Sequence, residues 1–252
     1  MGNIKLENVR SYKYLGLIFT PSGEIKTALD DLRARALKAY IKMRGSLGTG
    51  FNRYINDSIM LFDSLIKPIL LYSSDFWGCL KLPQNNPIEN LHMQFCKQVL
   101  GVQKGTTNNG VLLEIGCVPI TLNAQKAAIK NWERIRNYET NYLLNISHKN
   151  AKETNLEWLR RVDFCLAEKG MGNFFMENQP FTKNINNKFF QRANDIFYQG
   201  AFTPMENANS KLRTYNQVKK NIGQESYLTQ IHNTNFRVSM SKFRLLNHRL
   251  RI

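Results

Sequence analysis

Acidic residues are in short supply. Only 19 Asp and Glu stand against 35 Lys and Arg in 252 residues, a formal net charge of +16. An excess of that size destabilises a compact chain unless a polyanion or solvent screening relieves it. A nucleic acid is therefore the leading partner and an acidic membrane surface the second. Paired cysteines are missing as well. Cys79, Cys96, Cys117 and Cys165 are 17, 21 and 48 residues apart, and no CxxC or Cys/His pair has structural-zinc spacing. They read as small buried hydrophobes of a reducing compartment. No apolar leader segment follows Met1. The most apolar stretch, Ile55–Leu82, is interrupted by Asp57, Asp63, Lys67 and Asp75, which makes it a core helix and not a membrane span. The expected location is intracellular, nuclear or cytoplasmic.

Catalytic constellations are the remaining absence. Metal-assisted phosphoryl transfer needs carboxylates gathered on neighbouring strands to hold cations. The only Asp-Asp pair, Asp30-Asp31, falls instead in the first turns of an expected helix, where acidic residues are favoured electrostatically. His92 sits on an expected helix face and His148 in an expected polar loop, and neither has a Ser or Cys partner implied by sequence. No P-loop and no GxGxxG occurs. The expectation is a non-catalytic protein with no metal site and no cofactor.

What is present is charge at both ends. Residues 1–53 hold ten Lys/Arg against four Asp/Glu, and residues 201–252 hold nine against two. The stretch 54–100 holds three against four. A nearly neutral apolar middle bracketed by basic ends fits a core flanked by two binding surfaces.

Hydrophobic periodicity gives a mainly α chain with a short antiparallel β element at its start. Ile4–Val9 and Ser11–Thr20 read as extended and are expected to pair, with a turn at Thr20–Gly23. Leu29, Leu32, Ala36, Tyr40 and Met43 then recur at helical steps up to Gly45–Gly48. Ile55, Ile59, Phe62, Ile66 and Ile69 make a second stripe, and Leu61, Leu65 and Tyr72 a second apolar side, so this helix is expected to be buried on much of its circumference. Pro68 should kink or divide it. Helices are expected from Pro87 to Leu100, closed by Gly101, over Asn108–Ile115, closed by Gly116, and from Pro119 through Ala124, Ala128, Trp132 and Ile135. Further helices are placed at Asn155–Lys169, Lys188–Tyr198, Lys211–Lys219 and Gln224–Asn247.

Candidate binding residues follow from these helices. Arg35, Lys38 and Lys42 share one face of the first, with Arg33 and Arg44 beside it, a spacing of about 5–6 Å suited to phosphates along a groove. In the tail, a helix over Phe236–Arg251 would carry Arg237, Arg244, His248 and Arg251 as one stripe. Phe236, Phe243, Leu246 and Leu250 would form an apolar stripe beside it. Lys211, Arg213, Lys219, Lys220 and Lys242 add charge. Tyr12, Tyr14, Phe76, Trp77 and Trp132 could stack on bases, but their places in apolar stripes favour the core.

Several strings resemble the region downstream of the palm in non-long-terminal-repeat (LINE-type) retrotransposon reverse transcriptases. Tyr12-Lys-Tyr-Leu-Gly16, a strand, a turn with Gly23 and a basic helix resemble the passage from palm to thumb. Lys67-Pro-Ile-Leu-Leu-Tyr72 with Trp77 is similar to a Pro-x-Leu-x-Tyr-Gly…Trp helix, with Ser73 where glycine is usual and Asp75 where glutamate is common. Phe95 through Leu100-Gly-Val102, then Glu114-Ile-Gly116 and Pro119, resembles the run to a Glu-Leu-Gly-x-x-Pro junction. Lys211, Tyr215, Lys219, Tyr227 and Lys242 through Leu250 resemble a connector leading toward a Cys/His module.

The resemblance implies a helical bundle of thumb type. Residues 1–23 would be a palm-terminal β hairpin, 24–146 the thumb-like domain, and 147–252 a connector with a basic tail. The catalytic turn of the palm and the Cys/His cluster do not occur in these residues. What is implied is therefore a template–primer-holding fragment that binds RNA, DNA or an RNA–DNA hybrid. The parent's palm and fingers would be a further partner, and the Mg2+ of the parent polymerase would belong to that palm. The rival expectation is a helical interaction or scaffold domain, or a relic, whose charge is only surface.

Overall fold

Leu15 and Gly16 both take left-handed backbone angles (φ 46° and 82°), the signature of a tight hairpin turn. In the computed structural model, which describes residues 9–136, 142–176, 185–203, 212–219 and 221–245, that turn joins β1 (Tyr12–Tyr14) to β2 (Leu17–Phe19) in antiparallel register, Tyr12 opposite Phe19. The hairpin thus closes within the second extended run. The expected partner strand, Ile4–Val9, lies outside the described residues except for Val9.

The rest is mainly helical. Helix α1 (Lys26–Leu47) buries Leu29, Leu32, Ala36, Tyr40 and Met43, the residues its periodicity singled out, and stops at the left-handed Gly48. After the short α2 (Gly50–Arg53), α3 (Ile55–Leu61) runs into a π turn at Phe62–Ile66 and then α4 (Lys67–Leu70). Proline lacks an N–H and its ring crowds the preceding turn. Widening that turn is how the chain passes Pro68 without breaking. Only one side of this composite helix is buried: Ile55, Phe62, Ile66 and Leu70 face the core, while Met60, Leu65 and Tyr72 are exposed. Of the expected second side, Leu61 is partly buried against the core, while Leu65 and Tyr72 are exposed.

Ser73 then takes a left-handed conformation (φ 53°) at the position where glycine was expected, and α5 (Ser74–Trp77) follows. Gly78 permits the next crossing, since a Cβ there would lie 2.1 Å from the carbonyl oxygen of Ala124. Helices α6 (Pro87–Leu100) and α7 (Asn108–Ile115) match their expected bounds and end at left-handed Gly101 and Gly116. Asn86 caps α6 by accepting from the Ile88 N–H.

Helix α8 (Ile120–Arg136) spans two hydrophobic clusters. Its start joins a first cluster built on α1, the α3–α4 segment, α6 and α7. Its second half, with Ala128, Ile129 and Trp132, joins a second cluster with α10 (Glu157–Glu168) and α12 (Ile185–Phe202). Between these lie α9 (Tyr142–Glu153), which contains His148 where a loop was expected, and α11 (Asn173–Met176).

The tail helices are α13 (Arg213–Val218), α14 (Tyr227–Gln230) and α15 (Thr234–Arg244). The helix expected over Gln224–Asn247 is divided because the Asn233 side chain accepts from the N–H groups of Asn235 and Phe236 and starts a new helix. Leu212, Tyr215, Tyr227, Leu228 and Leu245 pack in the first cluster. The end of the chain therefore shares its core with residues 24–146. Among the described residues no helix is long and apolar enough to cross a membrane.

Candidate nucleic-acid interface

The cations of α1 and those of the tail have opposite surroundings. At 3.6 residues per turn, Lys26, Arg33 and Arg44 fall in one row along α1, and Lys38 and Lys42 in another about a third of a turn away. Between the rows lies a strip of exposed residues, Thr27, Ala34, Ile41 and Gly45, uncharged except at its start, where exposed Asp30 stands four residues after Lys26 and three before Arg33. Lys38, Lys42 and Arg44 are exposed and Arg33 half-buried. None of these five cations is in an ion pair among the described residues. Arg44 rests its guanidinium over the Phe51 ring at 5.8 Å, and Nη1 reaches Gln98 Oε1 at 3.4 Å.

Arg35, expected in the same row as Lys38 and Lys42, is committed elsewhere. Its Nη2 donates to the Gly16 carbonyl (2.9 Å) and pairs with Asp31 (2.9 Å), and its guanidinium lies over Tyr72 at 5.8 Å. It ties the hairpin to α1. Asp31 also takes Lys13 at 3.8 Å, which leaves Asp30 as the unpaired acid of this face among the described residues.

The tail departs further from expectation. On α15 the two faces are the reverse of the expected ones: Phe236 is 70% and Phe243 59% exposed, while Arg237 is 3% exposed. The reason is electrostatic. Glu114 of α7, itself fully buried, accepts from Tyr215 Oη and Tyr227 Oη, both at 2.7 Å, and from Arg244 Nε at 2.7 Å. Arg244 Nη2 also pairs with Glu225 at 2.8 Å, and Lys219 pairs with the same carboxylate at 2.7 Å. Two buried cations thus meet two carboxylates, and an arginine so placed is retained inward where a phenylalanine would have left buried Glu114 without a cation. Burial, then the adjacent Glu114 carboxylate, pushes the Tyr215 and Tyr227 hydroxyls well above the ordinary tyrosine range, so both remain donors. Arg237 donates to the carbonyls of Ile231 (2.9 Å) and Asn52.

Lys219, Arg237 and Arg244 are therefore corrected from candidate phosphate ligands to interior braces. Lys242 is half-exposed on the last turn of α15 and is in no ion pair among the described residues. Arg213 begins α13, and its side chain, like Lys211, Lys220, His248 and Arg251, lies outside what is described. Gly116 lets the tail approach: it is left-handed (φ +77°), and a Cβ there would lie 2.3 Å from the Gln224 nitrogen.

Among the aromatic candidates, Trp77 and Trp132 are core, whereas Tyr12, Tyr14 and Phe76 are exposed, against expectation. Two features escaped the sequence reading. Lys26 precedes Arg33 by seven residues, a spacing that signals the shared row. Arg53 and Tyr54 adjoin a cleft that only the folded tail creates. Among the described residues no three His, Cys, Asp or Glu side chains gather to hold a metal ion. Comparison with protein-family models, with curated proteins and with solved structures found no match.

Proposed function

We propose that the protein is a nucleic-acid-gripping helical fragment of reverse-transcriptase thumb-and-connector type, non-catalytic by itself, that holds a duplex against α1. The observation that carries this reading is the pair of cation rows on α1, in which Lys26, Lys38, Lys42 and Arg44 are exposed and none of the five cations forms an ion pair among the described residues. Two rows flanking a strip that is uncharged from Ala34 to Gly45 match two phosphate strands bordering a groove, with Ala34 and Ile41 toward its floor. An A-form or hybrid duplex offers a wide, shallow minor groove that admits such a face.

The family resemblance gains support from packing. Glu114, Gly116, Tyr215, Lys219, Tyr227 and Arg244 come from strings that resemble the family one by one, yet they meet in a single interlocked site. Ser73, standing for a usual glycine, has the backbone that glycine favours. The rival reading, an interaction domain, draws on the outward Phe236, Met240 and Phe243 of α15.

The test is fluorescence anisotropy of a labelled RNA–DNA hybrid across a salt series. About five neutralised phosphates give a slope of log affinity on log salt near −4 to −5. Replacing Lys38 and Lys42 together by Gln should flatten it by about 1.8. No binding at low salt, or an unaltered slope in the double variant, rejects the reading.

A further inference from the structure

Beyond α1 the cationic surface continues. Arg44 covers Phe51 in α2, and two residues later Arg53 places its guanidinium 5.5 Å from the Tyr54 ring centroid. Tyr54, the residue that joins α2 to α3, is 53% exposed. Beside it opens a cleft of about 580 Å³, walled on one side by the α2–α3 junction and on the other by Leu228, Thr229 and His232 of the tail.

The contents of this cleft discriminate between ligands. A phosphate alone would be served by Arg53 and by the exposed His232, but the Asp57 carboxylate shares the wall and repels it. A nucleobase suits the same wall better. It stacks on an aromatic face, tolerates the apolar Leu228, and its ring amino groups can donate to Asp57. Arg237, spent on the carbonyls of Ile231 and Asn52, keeps the two sides of the cleft in register.

We propose that this cleft receives one unpaired nucleobase of the strand held by α1, stacked on Tyr54 with its phosphate toward Arg53 and His232. The inference rests on the duplex-gripping reading and extends it: the protein would bind a duplex with a single-stranded extension in preference to a blunt one. Base–aromatic stacking contributes on the order of 1–3 kcal/mol, so the preference should be about fivefold or more.

The experiment compares the full chain on a blunt RNA–DNA hybrid and on the same hybrid with a four-nucleotide extension at either end, with 2-aminopurine as the first unpaired base. Wild type should bind one extended probe at least about fivefold tighter than the blunt one, with a change in 2-aminopurine fluorescence. Tyr54→Ala should remove both the advantage and the fluorescence change and leave blunt affinity as it was. Tyr54→Phe should keep them, and His232→Ala should weaken only the extended complex. Equal affinity of wild type for blunt and extended probes overturns the proposal, as does an undiminished advantage in Tyr54→Ala. Either result leaves the α1 reading intact if Lys38→Gln/Lys42→Gln still lowers blunt affinity. Failure of wild type to bind any probe at low salt removes both together.

Discussion

Helices α1 and α15 carry cations at similar spacing, yet one turns them to solvent and the other turns them inward. The difference lies in what each helix packs against. Helix α1 buries an all-apolar stripe, Leu29 to Met43, and of the two acids on it Asp31 is taken by Arg35 and Lys13 while Asp30 is exposed to solvent. Helix α15 lies over α7, where Glu114 is sealed from water and must have partners. A cationic stripe is thus a binding face only where no buried carboxylate claims it. Two of the tail's nine Lys and Arg, Lys219 and Arg244, neutralise the protein's own carboxylates, and a third, Arg237, is spent on backbone carbonyls.

The largest test of this contrast is Glu114→Ala. It strips Tyr215, Tyr227 and Arg244 of a shared acceptor and leaves Arg244 with Glu225 alone. Removing one member of a buried charged network costs about 3–5 kcal/mol, and a thermal midpoint lower by about 10 °C follows for a chain of this length. Urea unfolding checks it. The folded variant should bind the hybrid with unchanged salt slope, because none of the α1 cations is touched. A loss of less than about 1 kcal/mol would place the tail in the role sequence first gave it.

A smaller effect comes with pH. Burial raises the Tyr40 hydroxyl to about 12 and raises those of Tyr215 and Tyr227 further. A group whose folded pKa exceeds its unfolded one keeps its proton longer in the native state. Its stabilisation is complete below the ordinary tyrosine value near 10 and is lost as pH rises toward the folded value. Stability at pH 10.5 should be about 2 kcal/mol below that at pH 9. Tyr40→Phe should recover part of the slope. Urea midpoints level from pH 9 to 11 would show that these hydroxyls are not held in the core.

Most helix bounds were legible because local chemistry sets them. Pro87, Gly101 and Gly116 mark ends that depend on backbone angles alone, and the α1 stripe from Leu29 to Met43 repeats at one period for about four turns. The site was legible in part. Lys38, Lys42 and Arg44 are read correctly as exposed, since nothing among the described residues downstream covers them. The inversion of α15 could not be read, because Phe236 and Arg237 are neighbours and periodicity cannot say which faces inward. That is decided by Glu114, more than a hundred residues earlier. The Glu114 string was visible by resemblance, but its acidic residue carried no signal of burial. The cleft at Tyr54 was hidden for the same reason, its second wall being contributed by the returning tail.

Arg35 sits between the two cases and sharpens the line that divides them. Its side chain is 37% exposed, yet it bonds the Gly16 carbonyl and Asp31 and lies over Tyr72, whose hydroxyl in turn donates to the Leu15 carbonyl at 2.6 Å. Arginine and tyrosine together hold the two left-handed residues of the hairpin turn. Arg35→Gln should cost about 1 kcal/mol and lower amide hydrogen-exchange protection in Leu17–Phe19. Arg35→Lys should do nearly the same despite keeping its charge, because an ammonium on a shorter stem loses the guanidinium's stacking over Tyr72. Neither should alter the salt slope of hybrid binding. If Arg35→Gln flattens that slope as each of Lys38 and Lys42 is expected to, while Arg35→Lys restores it and the hairpin amides stay protected, the guanidinium works on phosphate. The boundary between bracing and binding cations would then run through the hairpin and not between α1 and the tail.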